Sequence, residues 1–369
     1  MKLRLKQTTQ QNNRLQRFLN THDCELDLTG DYHSFTTTMT SNPRESGVLI
    51  YCYADHVKID EDAVSKLATQ LLEAFESNSY SIEDWKKHPL HPKTADKEAL
   101  NFIFVMDSLN FSFWTDKDQD KYQVEFDGVT YTGYWALVAA IKRAIQEGIN
   151  ISDPNVYSKI DQETLMRVFR GKTAALIPMF EQRLKILHEN GQILLEKFSG
   201  DFSNVINAAN GSAQNLIKLV VENFPSFNDS YEYKGKMMAF YKRSQILVAD
   251  IWACFEGKGL GNFYDIDSLT MFADYRVPQI LCFFNVLKYS STLLEEMNKR
   301  EFTPGEAMEV EIRGTSIHAV ELIREEMYIK KPDLKVNSIL IDFYLWDLRR
   351  KMSEELEKIP FHRVRSIFY

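Results

Sequence analysis

From residue 160 to residue 357 the apolar side chains recur at the spacing of three and four that marks one face of an amphipathic helix. The pattern predicts helices over 164–169, 176–198, 202–209, 212–224, 236–255, 278–297, 315–327 and 336–357. Gly171, Gly200, Gly211 and Pro225 separate the first five, in loops of ordinary length. A chain written this way buries helix against helix and leaves no stretch for a large sheet. Upstream, Asp60 opens an amphipathic helix through Val64, Leu67, Leu71, Leu72 and Phe75, and another runs from 135 to 147 and stops at Gly148. Residues 122–126 and 129–132 alternate on either side of Asp127-Gly128, the signature of a two-residue hairpin. The expected fold is mainly α: one helical domain over 41–369 with a small β element near its front. Residues 1–40 are polar and rich in Gln, Asn and Thr, with a basic start (Lys2, Arg4, Lys6) and one helical pattern around Leu15, Phe18 and Leu19. They are expected to form a loosely attached extension; Asp23, Glu25, Asp27 and Asp31 argue against a mitochondrial address.

Composition narrows the function classes. The net charge of −8 opposes broad binding to DNA or RNA, which needs clustered positive charge, though it leaves room for a pocket holding one phosphate. With 24 Phe, 17 Tyr and 5 Trp, one large core can be built and flat rings are available for stacking on a base. Cys24, Cys52, Cys254 and Cys282 form no CxxC pair and suggest a reducing, cytosolic setting. No metal-ligand spacing appears, and His88 and His91 fall in a Pro-containing loop where solvation is expected. No run approaches the ~20 apolar residues of a membrane span.

Several polar groups occupy places that call for apolar ones. Asp274, Tyr275, Arg276 and Gln279 are packed into six residues around Pro278. Pro278 suits a helix start and disfavours αR at Val277, so Asp274 to Arg276 should lie just outside that helix. Asp274 would then feel the positive end of the helix dipole and stay ionised, either as an ordinary cap or as a carboxylate that stabilises a developing cation. Asp107 and Asn110 are embedded in Val105–Trp114, where a carboxylate is either a hydrogen-bonded structural group or the floor of a pocket with Phe111 or Trp114 stacking nearby. Arg243 and Asp250 share one face of the 236–255 pattern, and Lys242 lies on another, otherwise buried in character, from which it either snorkels out or enters a site. Residues 309–313 alternate like a strand, with Gly314 turning into a helix capped by Thr315 or Ser316 that is free to receive a phosphate. Finally His362, Arg363 and Arg365 alternate with apolar residues, as in a strand with one charged face that pairs with acids or holds a phosphate.

Together these segments resemble the queuosine salvage protein family, N-glycosylases that hydrolyse queuosine 5′-phosphate to release queuine. The matching stretches begin with residues 42–46, 106–114 and 242–250. They continue through 272–279, 310–314, 337–347 and 360–363, in order, so the likeness covers about 42 to 369. The resemblance implies a helical fold related to helix-hairpin-helix DNA glycosylases, with Asp274 as the catalytic carboxylate and Lys242 beside it. It implies a cytoplasmic enzyme of tRNA-base salvage acting on a free nucleotide, not on intact tRNA. A monomer is expected, with no cofactor, no metal, no stable nucleic acid complex and no membrane. Asp107 is then expected to accept N–H groups of the base or its side arm. Asn110, Phe111, Trp114, Asp250 and Tyr275 are expected to line the pocket, with Arg276 and His362, Arg363 or Arg365 as phosphate candidates. A DNA-repair glycosylase and a non-catalytic nucleoside-binding module are the alternatives.

Overall fold

A computed structural model describes residues 42–77, 80–116 and 119–369. The expectations for residues 1–40 lie outside it. The described chain is mainly helical. Its longer helices are Pro43–Tyr53, Glu61–Glu76, Lys97–Ser108, Tyr134–Gln146, Phe180–Phe198, Ala213–Asn223, Lys242–Cys254, Ala307–Lys330 and Ser338–Lys351. Asn42 and Glu45 close the first with reciprocal side-chain-to-backbone bonds, and Asp60 caps the second by accepting from Ala63 at 3.0 Å. The expected hairpin is present, with Gln123–Phe126 paired to Val129–Thr132 and both turn residues at positive φ (Asp127 49°, Gly128 76°).

Several expectations fail, each for a local reason. The helix expected over 236–255 begins only at Lys242. Lys234 and Gly235, both at positive φ, make a tight turn that pairs Lys236–Ala239 with Ser230–Tyr233, and Tyr241 (φ 46°) redirects the chain into the helix. The helix expected over 278–297 is Val277–Phe283, then the strand Leu287–Tyr289, then Ser291–Lys299. Asn285 breaks it at φ 61°, the strand pairs with Val57–Ile59, and Ser290 caps the new helix. The β structure of the described residues is therefore three separate two-stranded ladders rather than one element near the front.

Residues 309–313 are not a strand but part of the continuous helix Ala307–Lys330. Gly314 is no turn: it sits mid-helix where a Cβ would run into the side chain of Ile50, so its bareness lets the Pro43–Tyr53 helix approach. Ser316 donates back to the Ile312 carbonyl at 2.6 Å, and no helix start exists there to take a phosphate. The C-terminal segment is likewise not a strand, its one bridge being Phe302 to Val364.

The core divides into two hydrophobic clusters. One gathers the helices Lys97–Ser108, Tyr134–Gln146 and Phe180–Phe198; the other gathers Glu61–Glu76, Val277–Phe283 and most of Ala307–Lys330. The segment before Val277 is stitched between them, Leu269 and Phe272 entering the first, and Met271, Ala273 and Tyr275 the second. Ser338–Lys351 does the same, with Ile339 in the first and Leu340, Ile341 and Leu345 in the second. Polar side chains on both segments thus meet along a buried seam.

Candidate active site

Asp274 stands at that seam, three residues ahead of the first residue of the Val277–Phe283 helix, as its sequence context requires. Its Oδ1 accepts the backbone N–H groups of Arg276 (2.7 Å) and Val277 (2.9 Å). Those bonds fix the carboxylate against a helix N-terminus, where the local dipole favours negative charge. Neither bond uses Oδ2. The residue retains 9% exposure, more than Asp107, Asp250 or Asp342 nearby.

Lys242 begins the helix it belongs to, its backbone N–H donating to Asp229 Oδ2 at 3.2 Å. Arg313 clamps Asp229 from the other side with a bond of 2.5 Å and donates from Nε to the Ala273 carbonyl at 2.9 Å. One buried ion pair thereby ties the start of the lysine helix to the residue preceding Asp274. Lys242 does not snorkel: it is buried, and its Nζ donates to the Asn110 carbonyl at 3.2 Å. Burial lowers its pKa to about 8, opposed by the charge of Asp274 and, more weakly, of Asp107 and Asp342, while Arg243 pushes it further down.

Asp342 is a candidate site residue that the sequence reading did not single out. It is buried on the Ser338–Lys351 helix, and its Oδ2 accepts from the Phe272 N–H at 2.9 Å. Burial, then the Asp274 charge, raises its carboxyl well above the usual range. A signal exists in the chain, because Asp342 interrupts Ile339-Leu340-Ile341 and Phe343 much as Asp107 interrupts its own apolar run.

Asp107 has no exposed surface. Its Oδ1 accepts a long bond of 3.4 Å from Asn110, and its Oδ2 has no partner among the described residues. Asp250 accepts from the Trp85 indole at 3.0 Å. Burial raises Asp250 to about 7, against the indole bond and the Lys242 charge, and raises Asp107 well above the usual range with the Asp250 charge adding to it. Both carboxyls are thereby shifted toward their neutral forms.

Two fully buried guanidinium groups shape the floor beneath them. Arg183 donates to the carbonyls of Leu109, Phe111 (2.6 Å) and Ser112 (3.4 Å). Arg243 donates to those of Asp107 (3.3 Å), Ser108 and Ser226. They collect the outward carbonyls where the Lys97–Ser108 helix ends, leaving Asp107 on a rigid shelf.

The remaining candidates are distributed around this cluster. The Phe111 ring lies under Arg183, 4.2 Å from its Cζ, with Arg243 at 5.2 Å. Trp114 donates to the Val364 carbonyl at 3.0 Å and carries Arg365 over its ring. Tyr275 is buried beside Phe361, and Arg276 lies over both rings at 4.8 Å. His362 is fully buried, both ring nitrogens unpartnered among the described residues, and burial lowers it to about 3. Arg363 and Arg365 share the Asp116 carboxylate at 3.6 and 3.2 Å. His91 is not solvated: it is buried against Trp85 with ring centroids 3.8 Å apart. Its Nδ1 donates to the Trp85 carbonyl, so Nε2 of the neutral ring accepts from Tyr134 at 3.0 Å.

Residues 90–369 match the family model described as queuosine salvage protein. The chain belongs to that family. It is 46% identical over 335 residues to a Mus musculus protein named queuosine 5′-phosphate N-glycosylase/hydrolase, covering 89% of this chain and 98% of the relative. A Bos taurus protein of the same name is 47% identical with the same coverage, and one from Schizosaccharomyces pombe 41% identical over 86% of this chain and 96% of its own. Asp107, Lys242, Asp250, Asp274 and Asp342 all fall within the matched region, whereas Trp85 precedes it.

Proposed function

We propose that this protein hydrolyses the N-glycosidic bond of queuosine 5′-phosphate, giving queuine and ribose 5-phosphate. The observation that carries the proposal is Asp274, one oxygen immobilised by two backbone N–H groups and the other without a partner among the described residues, with Lys242 beside it. Cleavage of the bond from the anomeric carbon to the base nitrogen sends its electron pair to the base and leaves an oxocarbenium-like sugar. A fixed carboxylate stabilises that charge without reorganising. Water supplies the oxygen that ends on the sugar carbon and the proton that ends on the base.

A 7-deazaguanine base has no N7 to protonate, so its departure must be eased at its other polar edge. A neutral acid offers one donor and one acceptor. The Asp107–Asp250 pair, shifted toward the neutral form and presenting the unpartnered Asp107 Oδ2, complements a carbonyl next to an N–H. Lys242 sets a positive charge beside Asp274 and balances it before the sugar cation forms. The proposal includes the kinship with helix-hairpin-helix glycosylases and a cytoplasmic place in queuine salvage for tRNA modification, acting as a monomer on the free nucleotide. No helix of the described residues is long and apolar enough to cross a membrane.

The test is turnover of queuosine 5′-phosphate by the purified chain with chromatographic detection of queuine, guanosine 5′-phosphate being run alongside. Queuine without guanine is expected. Release of neither base by folded protein would leave a nucleoside-binding module instead.

A further inference from the structure

Most of the described arginines have anionic or carbonyl partners. Arg44 pairs with Glu321, Arg170 with Glu147, Arg300 with Glu296 and Glu306, and Arg313 with Asp229 and Glu309. Arg183 and Arg243 donate to backbone carbonyls, and the C-terminal Arg363 and Arg365 have Asp116. Beside Asp274 the pattern changes. Arg276, Arg349 and Arg350 come together there, and none makes a salt bridge to a described acid.

Each guanidinium is nevertheless held in place. Arg276 rests on the rings of Tyr275 and Phe361, both at 4.8 Å. Arg349 donates from Nε to Gln279 Oε1 at 3.0 Å, while the Gln279 amide donates to the carbonyls of Leu356 (2.9 Å) and Ile359 (2.6 Å). The glutamine thus works as a bracket, orienting Arg349 without neutralising it. Arg350 lies over the Trp346 ring at 5.1 Å. The charges press on one another: burial lowers Arg349 to about 10 and Arg276 and Arg350 add to that, against Tyr275 and Asp274. Burial also lowers Arg350, with Arg276 pushing the same way against Asp347. The acids facing the group are therefore Asp274 and Asp347, and the latter accepts from the Tyr80 hydroxyl at 3.0 Å. Assembling three cations without a carboxylate bridge costs free energy unless an anion joins them.

We propose that Arg276, Arg349 and Arg350 form the seat of the substrate's 5′-phosphate, and that this seat, not the C-terminal arginines, makes the protein prefer a nucleotide to a nucleoside. This assignment rests on the glycosylase function above, for in a nucleoside 5′-phosphate only the ribose separates the anomeric carbon from the dianion. Arginine forks suit a phosphate because two parallel N–H bonds reach two of its oxygens. A lysine in the same place supplies charge without the fork.

The experiment measures kcat/KM for queuosine 5′-phosphate and for queuosine in wild type, Arg276→Gln, Arg349→Gln, Arg349→Lys, Arg350→Gln and Arg365→Gln. Each Arg→Gln change in the seat should reduce the nucleotide-to-nucleoside ratio about tenfold or more, the loss of a charge-assisted contact, and Arg349→Lys should recover part of it. Arg365→Gln should leave the ratio alone. An equal fall for both substrates in the seat variants, or collapse of the ratio in Arg365→Gln, overturns the assignment. Calorimetric titration with ribose 5-phosphate, ribose serving as control, reads the seat without turnover. Wild type should bind the phosphate ester and Arg276→Gln should weaken it about tenfold or more. Binding of that kind in a chain that releases no queuine would refute the hydrolase function and keep the seat; queuine release with unaltered ribose 5-phosphate binding in every seat variant would do the reverse.

Discussion

Replacing Asp274 with asparagine separates its two roles. In Asp274→Asn the side-chain amide retains an acceptor oxygen for the N–H groups of Arg276 and Val277, so the helix start remains bonded and stability should change by less than about 1 kcal/mol. The charge is lost. A unit charge about 4 Å from a developing cation, at an effective dielectric of about 20, contributes about 4 kcal/mol. That corresponds to a fall of about a thousandfold in the chemical step. Asp274→Ala should lose the same catalysis and also abandon both N–H groups, costing about 1–2 kcal/mol of stability. Single-turnover release of queuine gives the first quantity and urea unfolding the second. An Asp274→Asn rate within about tenfold of wild type would limit the charge to about 1.4 kcal/mol and refute the electrostatic role. Equal instability of Asp274→Asn and Asp274→Ala would refute the capping geometry.

Lys242 gives a pH signature: because its pKa lies near 8, kcat/KM should fall as pH rises through that value, and Lys242→Met should be slow without that limb. The folded pKa is below the ordinary 10.5, so the unfolded chain binds more protons between about 8 and 10.5, and this residue makes stability rise with pH across that window. Urea midpoints of wild type and Lys242→Met at about pH 8 and about pH 10 check the sign. Arg183→Met should strip donors from the Leu109 and Phe111 carbonyls at about 1–3 kcal/mol each, seen as a lower urea midpoint with an unchanged slope. Gly314→Ala should cost about 1–3 kcal/mol through its clash with Ile50, and thermal melting of Gly314→Ala with Ile50→Ala should show a smaller combined loss than the sum of the two.

Much of the local structure was legible because it is set by near neighbours. The Asp127-Gly128 hairpin, the Asp60 cap and the break ahead of Val277 depend on residues a few positions apart, and all are present. Helical periodicity failed where a short motif interrupted it: Lys234-Gly235 turns a run of good helix formers into a hairpin, and Asn285 splits one expected helix into helix, strand and helix. Residues 309–313 misled in the opposite sense, since a helix buried on nearly every side has polar groups that need not follow one face. There Glu309 and Arg313 are paired internally, 3.2 Å apart on successive turns.

The sequence by itself determined a mainly helical chain, its family, and Asp274 and Lys242 as residues out of keeping with their surroundings. Tertiary structure alone decided which charges remain available. Arg363 and Arg365 are held by Asp116, whereas Arg276, Arg349 and Arg350 make no salt bridge to a described acid, although all five look alike in the chain. It also brought Asp342 to Asp274 at the seam of the two hydrophobic clusters, and Asp107 to Asp250 within the first cluster. The reason is physical: a helix cap is fixed by bonds within a few residues, but a pKa or an unpaired charge depends on burial and on partners from distant segments.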